Sequence, residues 1–117
     1  MSSDLLDFEV GQGETFKILL HIYTENTGSS LVDITDYTFD GQLRENYTTD
    51  EVAANFTVEK LTPYTSGSVY ISLTSTDTSA LDQRYYVYDV RMLDNSNPPV
   101  VRRLLEGQFT VRPSVTR

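Results

Sequence analysis

His21 is the single histidine of this chain, and there is no cysteine. A hydrolase built on these residues would need a Ser or Thr hydroxyl as nucleophile, His21 as its base and a carboxylate such as Asp89 to orient the imidazole. No serine stands in the glycine-flanked strand-to-helix turn that exposes such a nucleophile. His21 falls in the middle of an alternating run and shares its face with Lys17, Leu19 and Tyr23, a setting for a surface or packing residue. Acids are abundant, but paired carboxylates hydrolyse glycosides only where loops enclose the scissile bond, and no long loop set is present. Asp33, Asp36 and Asp40, and separately Asp94, Asn95 and Asn97, offer oxygen ligands for calcium. Neither spacing matches a twelve-residue calcium loop, and both clusters read more simply as turns closed by Asx hydrogen bonds. No catalytic residue, metal ligand or cofactor is assigned.

Tyr23, Tyr47, Tyr64 and Tyr70 are the expected exposed aromatics. Aromatic faces stack on sugars, and tyrosine is also enriched where proteins meet. Asn46-Tyr47-Thr48 and Asn55-Phe56-Thr57 are glycosylation sequons, read as chance matches because no signal peptide is visible.

The elements that must position these residues follow from length and pattern. A chain of 117 residues fits one core, so residues 1–117 are read as a single domain. Only 38% of residues are apolar, arranged in short alternating runs bounded by Gly, Asn, Asp and Pro, which favours a β-sandwich. Without cysteine, packing alone must hold it. Met1 leads into polar and acidic residues, and no run of apolar residues is long enough to span a bilayer. The expectation is a chain made in a cytosol, with no membrane partner. A net charge of −8 argues against nucleic acid. Residues 1–83 hold fourteen acids against Lys17, Arg44 and Lys60, whereas residues 84–117 hold Asp89, Asp94 and Glu106 against six arginines. Either those arginines pair with acids on neighbouring strands, or they form a face that docks on an acidic partner.

Along the chain, Leu5 to Val10 is a short first strand ended by the turn Gly11-Gln12-Gly13. Glu14 to Thr24 alternates with Phe16, Ile18, Leu20 and Ile22 inward, and Leu19 interrupts its polar face. Glu25 to Ser30 reads as a turn. Tyr37, Phe39, Gly41 and Leu43 share the inner face of the next strand, where Gly41 implies close approach by a large side chain. A weaker strand runs through Phe56 and Val58 to Pro63. Val69, Ile71 and Leu73 point inward from the following one. Ser75 to Leu81 reads as a capped helical turn with Leu81 plugging the core. Tyr86, Tyr88, Val90 and Met92, then Leu105, Gly107, Phe109 and Val111, line the inside of a closing hairpin. The expected fold is all-β: a seven-stranded immunoglobulin-like antiparallel β-sandwich with one short helical turn near residues 75–81. It lacks the disulfide and tryptophan of antibody domains, so Tyr88 is the expected aromatic centre.

The order Gly13-Glu14-Thr15-Phe16, Asp33-Ile34-Thr35-Asp36-Tyr37-Thr38, Gly67-Ser68-Val69-Tyr70-Ile71-Ser72-Leu73, Ala80-Leu81, Tyr86-Val87-Tyr88-Asp89-Val90 and Leu105-Glu106-Gly107-Gln108-Phe109-Thr110-Val111-Arg112-Pro113 resembles the small immunoglobulin-like domains of tailed-phage virion proteins. It is similar to the N-terminal domain of baseplate upper proteins and to short structural proteins of phages infecting cyanobacteria. The resemblance spans residues 8–116 and rests on the order of the words, each of which is ordinary. It implies a non-enzymatic virion protein, assembled in the host cytoplasm, that binds other phage virion proteins. Because the chain closes at Arg117 directly after its last strand, the expectation is a freestanding adaptor of the tail, baseplate or fibre apparatus, present in multiple copies in a symmetric assembly. Capsid decoration is the alternative, and a carbohydrate-binding module on the virion surface is the second. The candidate interface residues are Leu5, Leu19, Tyr23, Arg91, Arg102, Arg103 and Arg112.

Overall fold

Period-two alternation dictates strands through most of this chain, and a computed structural model forms them. It describes residues 4–23, 31–82 and 84–115. The expected turn at residues 25–30 lies outside the described residues. The strands are β1 (Asp4–Leu5), β2 (Phe8–Gly11), β3 (Phe16–His21), β4 (Thr38–Arg44), β5 (Ala54–Asn55), β6 (Thr57–Lys60), β7 (Ser68–Leu73), β8 (Tyr85–Leu93) and β9 (Val101–Arg112). Seven of them are four residues or longer, and β1 and β5 are two-residue strands. A 3₁₀ turn at Tyr64–Ser66 and the helical turn α1 (Ser75–Ser79) complete the set.

Two sheets face each other. The smaller has the order β3-β7-β6 and is antiparallel; the larger has the order β1-β9-β8-β4-β5, with β2 also on β9. This is an all-β sandwich, as expected. One feature differs from an all-antiparallel arrangement: β1 and β2 run parallel to β9, Asp4 opposite Leu105 and Phe8 opposite Phe109. A single long β9 thus carries β8 on one side and both leading strands on the other. Between Val90 and Arg91 the register with β9 shifts, so Leu104 is an extra residue and both Leu104 and Leu105 are buried.

The core is a cage of aromatic rings. Phe109 is fully buried and lies 5.1 Å from Phe16, 6.1 Å from Phe56, 6.4 Å from Tyr88 and 6.5 Å from Phe8, centroid to centroid. Tilted and edge-on contacts of this kind are worth ~0.5–1.5 kcal/mol beyond buried area. Tyr88 is 3% exposed within the cage, and Phe109 is its hub. The expected core residues Phe16, Leu43, Val69, Ile71, Leu73, Leu81, Tyr86, Val90, Leu105 and Val111 are buried. Ile18, Leu20, Tyr37 and Phe39 are only half-buried and pack against its margin; Ile18 and Leu20 lie on β3, an edge strand of the smaller sheet. Val10, Ile22, Ile34, Phe56, Met92 and Leu104 are buried in addition. Phe56 is the large neighbour that Gly41 implied: a Cβ there would lie 3.0 Å from its ring.

α1 is built as its sequence demands. Thr74 caps it by accepting from the Asp77 amide at 3.1 Å, while the Asp77 carboxylate accepts from the Thr74 amide at 2.9 Å, a reciprocal box. Thr78 is fully buried and donates its hydroxyl to the Glu14 carbonyl at 2.8 Å, tying the turn to the start of β3. No helix among the described residues is long and apolar enough to cross a membrane.

Candidate functional site: the charged outer face of the larger sheet

Outward residues of β4, β8 and β9 place Asp40, Gln42 and Arg44 beside Val87, Asp89 and Arg91, and these beside Arg103 and Glu106. The register sets Arg91 opposite Arg103 and Asp89 opposite Glu106. Like charges directly opposite repel, so each arginine turns to a different neighbour. Arg91 grips Asp40 with both Nε (2.8 Å) and Nη2 (2.6 Å), and this grip holds its guanidinium above the ordinary range for arginine. Arg103 reaches Asp89 at 3.4 Å and Glu106 at 3.3 Å. These groups are 34–53% exposed, so solvent screens the pairs and each is worth ~0–1 kcal/mol. Their role is to fix positions.

The connection after β4 leans over this face. Asn46 accepts from the Thr48 and Thr49 amides at 3.0 and 2.9 Å, folding the loop. Arg44 then clips it to the sheet, donating to the Thr49 carbonyl and to Gln42 Oε1, each at 2.9 Å. Tyr47 stands on the rim, 77% exposed. Beneath it lies a depression of about 420 Å³ between Asp40, Arg44, Asp89, Arg91 and Arg103. A second, of about 290 Å³, adjoins it between Tyr47, Val87, Tyr85 and Leu5.

The arginines expected to make one basic strip are distributed instead. Arg91 and Arg103 lie on the face just described. Arg112 pairs with Glu9 at 2.9 Å and with Glu14 at 3.4 Å near the far end of β9. Arg102 faces the interior end of the sandwich, donates Nη2 to the Tyr23 carbonyl at 3.1 Å and buries its Nε without a partner among the described residues. Arg91, Arg103 and Arg112 therefore follow the first of the two sequence expectations, pairing with acids on their own or neighbouring strands.

Leu19 and Tyr23 project from the outer face of the smaller sheet, 49% and 44% exposed, and Leu31, 41% exposed, bridges to Tyr23. Leu5 is 76% exposed beside β9. Lys17 covers the ring of Tyr70 at 4.2 Å, Lys60 that of Tyr64 at 4.8 Å and Arg84 that of Tyr85 at 5.5 Å. Of the aromatics expected at the surface, Tyr70 and Tyr64 thus have a face covered by a cation.

His21 Nδ1 lies 2.8 Å from Ser68 Oγ, across β3 and β7. Ser68 is 6% exposed and donates its hydroxyl to the Ser66 carbonyl at 3.2 Å, so in this arrangement it accepts from the imidazole rather than surrendering a proton to it. Asp89 is held by Arg103 on the other sheet. The contact joins two strands.

Among the described residues no group of three or more His, Asp or Glu is placed to hold a metal ion. Asp33 accepts from the Thr35 hydroxyl and amide, and Asp94 from the Val100 and Ser96 amides at 2.8 and 3.0 Å. These bonds hold both carboxyls below the usual aspartate range, Asp33 chiefly through the Thr35 hydroxyl and Asp94 through the Val100 amide.

No family model matches the chain, and no curated protein matches it. Among solved structures, it aligns with a nucleoside hydrolase-related hypothetical protein from Saccharophagus degradans that is associated with carbohydrate metabolism, at 11% identity and a TM-score of 0.41. The alignment covers 92% of this chain and 22% of that one, so the chain spans about a fifth of that protein's length, and a likeness this distant assigns neither family nor activity.

Proposed function

We propose that the chain is a non-enzymatic structural protein of a tailed-phage virion, an adaptor of the tail, baseplate or fibre apparatus that binds other virion proteins. The observation that carries this reading is the exposure of Leu19 on β3, an edge of the smaller sheet, and of the bridged pair Tyr23 and Leu31 just beyond its end. Single exposed apolar residues are ordinary. Exposed apolar residues on and next to an edge strand offer both halves of a docking surface: apolar contact with a tyrosine anchor and a template for an added strand. The resemblance to phage immunoglobulin-like domains supplies the partner class. Repetition by symmetry makes one such surface sufficient for every copy.

The test is virion incorporation of Leu19→Lys and of Leu19→Lys with Tyr23→Lys. Both positions are surface-exposed, so the melting temperature should hold while the amount of protein recovered with purified particles falls. Wild-type incorporation of the double variant would sink the proposal.

A further inference from the structure

We infer that the outer face of the larger sheet binds an uncharged, hydroxyl-rich chain, an oligosaccharide lying in the trough between Arg91 and Tyr47. The trough is the larger depression, lined from β4, β8, β9 and the loop that carries Tyr47. Its lining stands on paired strands, and the loop on its rim is tied down by Arg44. A ligand would meet a surface already organised, which spares it the cost of ordering the site.

Charge balance selects the ligand class. The larger depression is lined by Arg44, Arg91 and Arg103 and by Asp40, Asp89 and Glu106. Three cations against three carboxylates give neither a polyanion nor a polycation a net attraction. A sugar hydroxyl both donates and accepts, and this lining offers both functions at fixed positions. The guanidinium of Arg91 spends Nε and one Nη2 hydrogen on Asp40, leaving further N–H donors, and Gln42 adds an amide beside Arg44. An extended peptide fits less well. It takes its affinity from a sheet edge or from apolar pockets, and this trough runs over a face with a charged floor.

Tyr47 supplies the remaining requirement, a flat apolar surface for the C–H face of a sugar ring. Tyr64, Tyr70 and Tyr85 each have a cation over the ring, whereas Tyr47 is 77% exposed on the rim of the trough. The trough lies on the opposite sheet from Leu19, Tyr23 and Leu31, so the inference stands or falls separately from the adaptor reading.

The experiment titrates the full chain, labelled for amide NMR, with maltooligosaccharide, cellooligosaccharide and mannooligosaccharide at up to millimolar concentration, with oligogalacturonate as the charged comparison. At least one neutral chain should shift amides confined to residues 40–49, 85–91 and 103–108. Tyr47→Ala should weaken that binding by about tenfold, the loss expected of one aromatic contact, with melting temperature unchanged, and Leu19→Lys should leave binding intact. Absence of shifts with all three neutral chains overturns the inference. So does binding by oligogalacturonate alone, or binding that Tyr47→Ala leaves untouched.

Discussion

The hydroxyl of Tyr88 on β8 donates to the carbonyl of Leu6, between β1 and β2, across the strand that separates them. Tyr88 sits opposite Gly107 in that intervening strand, and a Cβ on Gly107 would lie 2.3 Å from the same carbonyl oxygen. The leading segment therefore occupies the space a side chain would take and is fastened there by a phenol from the core. Two further bonds hold it: the Leu6 amide donates to the Glu106 carbonyl and the Gln108 amide to Asp7 Oδ1, each at 2.9 Å.

Tyr88→Phe keeps the ring in the aromatic cage and leaves the Leu6 carbonyl without its donor. The expected loss is ~0.5–1.5 kcal/mol, the net contribution of one hydrogen bond, because Leu6 is exposed and water can replace the donor; chemical denaturation measures it. Tyr88→Ala should lose ~3–5 kcal/mol by emptying the cage as well. A Phe variant as stable as wild type would mean that another donor reaches Leu6.

Alkaline pH should act on the same bond. Burial, then the charges of Asp7 and Glu106, push the Tyr88 phenol well above its ordinary range. An unfolded tyrosine ionises near pH ~10, so above that pH the unfolded chain loses a proton that the folded chain keeps. The contribution is complete below pH ~10 and is lost as pH rises toward the folded-state value. Denaturation midpoints measured across this range should fall more steeply for wild type than for Tyr88→Phe.

Gly107→Ala forces either Leu6 or β9 to move. Overpacking of this kind costs ~1–3 kcal/mol. Hydrogen exchange should show the amides of Leu6 and Phe8 to Gly11 losing protection, while those of β3 and β7 keep it. Uniform loss across both sheets would show that the leading strands do not open as a unit.

On the acid side, Asp33 and Asp94 should be late to protonate. Their carboxyls are held below the usual range by turn hydrogen bonds, so what they contribute is present above the unfolded value near pH ~3.9 and is lost as pH falls through the lower folded value. A carboxyl-carbon NMR titration should place both midpoints below the ordinary aspartate value near pH ~3.9. Asp94→Asn, which keeps an acceptor oxygen without the charge, should shift the Val100 amide signal while leaving β8 and β9 paired.

Strand faces were legible wherever alternation was strong. Phe16 and Ile22 in one run, and Tyr86, Tyr88, Val90 and Met92 in another, point inward as their spacing requires. Gly41 announced its large neighbour without identifying Phe56. Ile34 escaped because it lies in a polar turn outside any periodic run; it is buried by the 3₁₀ turn, whose Tyr64 carbonyl accepts from its amide at 3.1 Å. Lys60 completes that corner by donating to the carbonyls of Ile34, Thr35 and Tyr37.

What depended on register was hidden. The arginine excess after residue 84 is plain in the sequence, but whether Arg91 meets Asp40 or a partner is decided by which residues stand opposite on β4, and the bulge at Leu104 separately resets the alignment of β8 with β9. Covered tyrosines were hidden for the same reason, since Lys17 and Tyr70 belong to different strands. The trough itself has no sequence signal beyond Tyr47, because its lining comes from three strands and a loop that only the fold assembles.

The parallel seating of β1 and β2 against β9 also sets an order of events during synthesis. Asp7 and Gln108 bond across 101 residues of chain, so this segment, synthesised well before β9, has no seat until β9 has followed. Contacts this far apart in sequence make folding slow, and through that interval Leu5, Leu6 and Phe8 are open to any neighbouring copy. Where many copies are translated together, the vacant side of one chain's β9 is a landing place for another chain's residues 4–11. The same latch that completes a monomer then links two, as a domain-swapped pair.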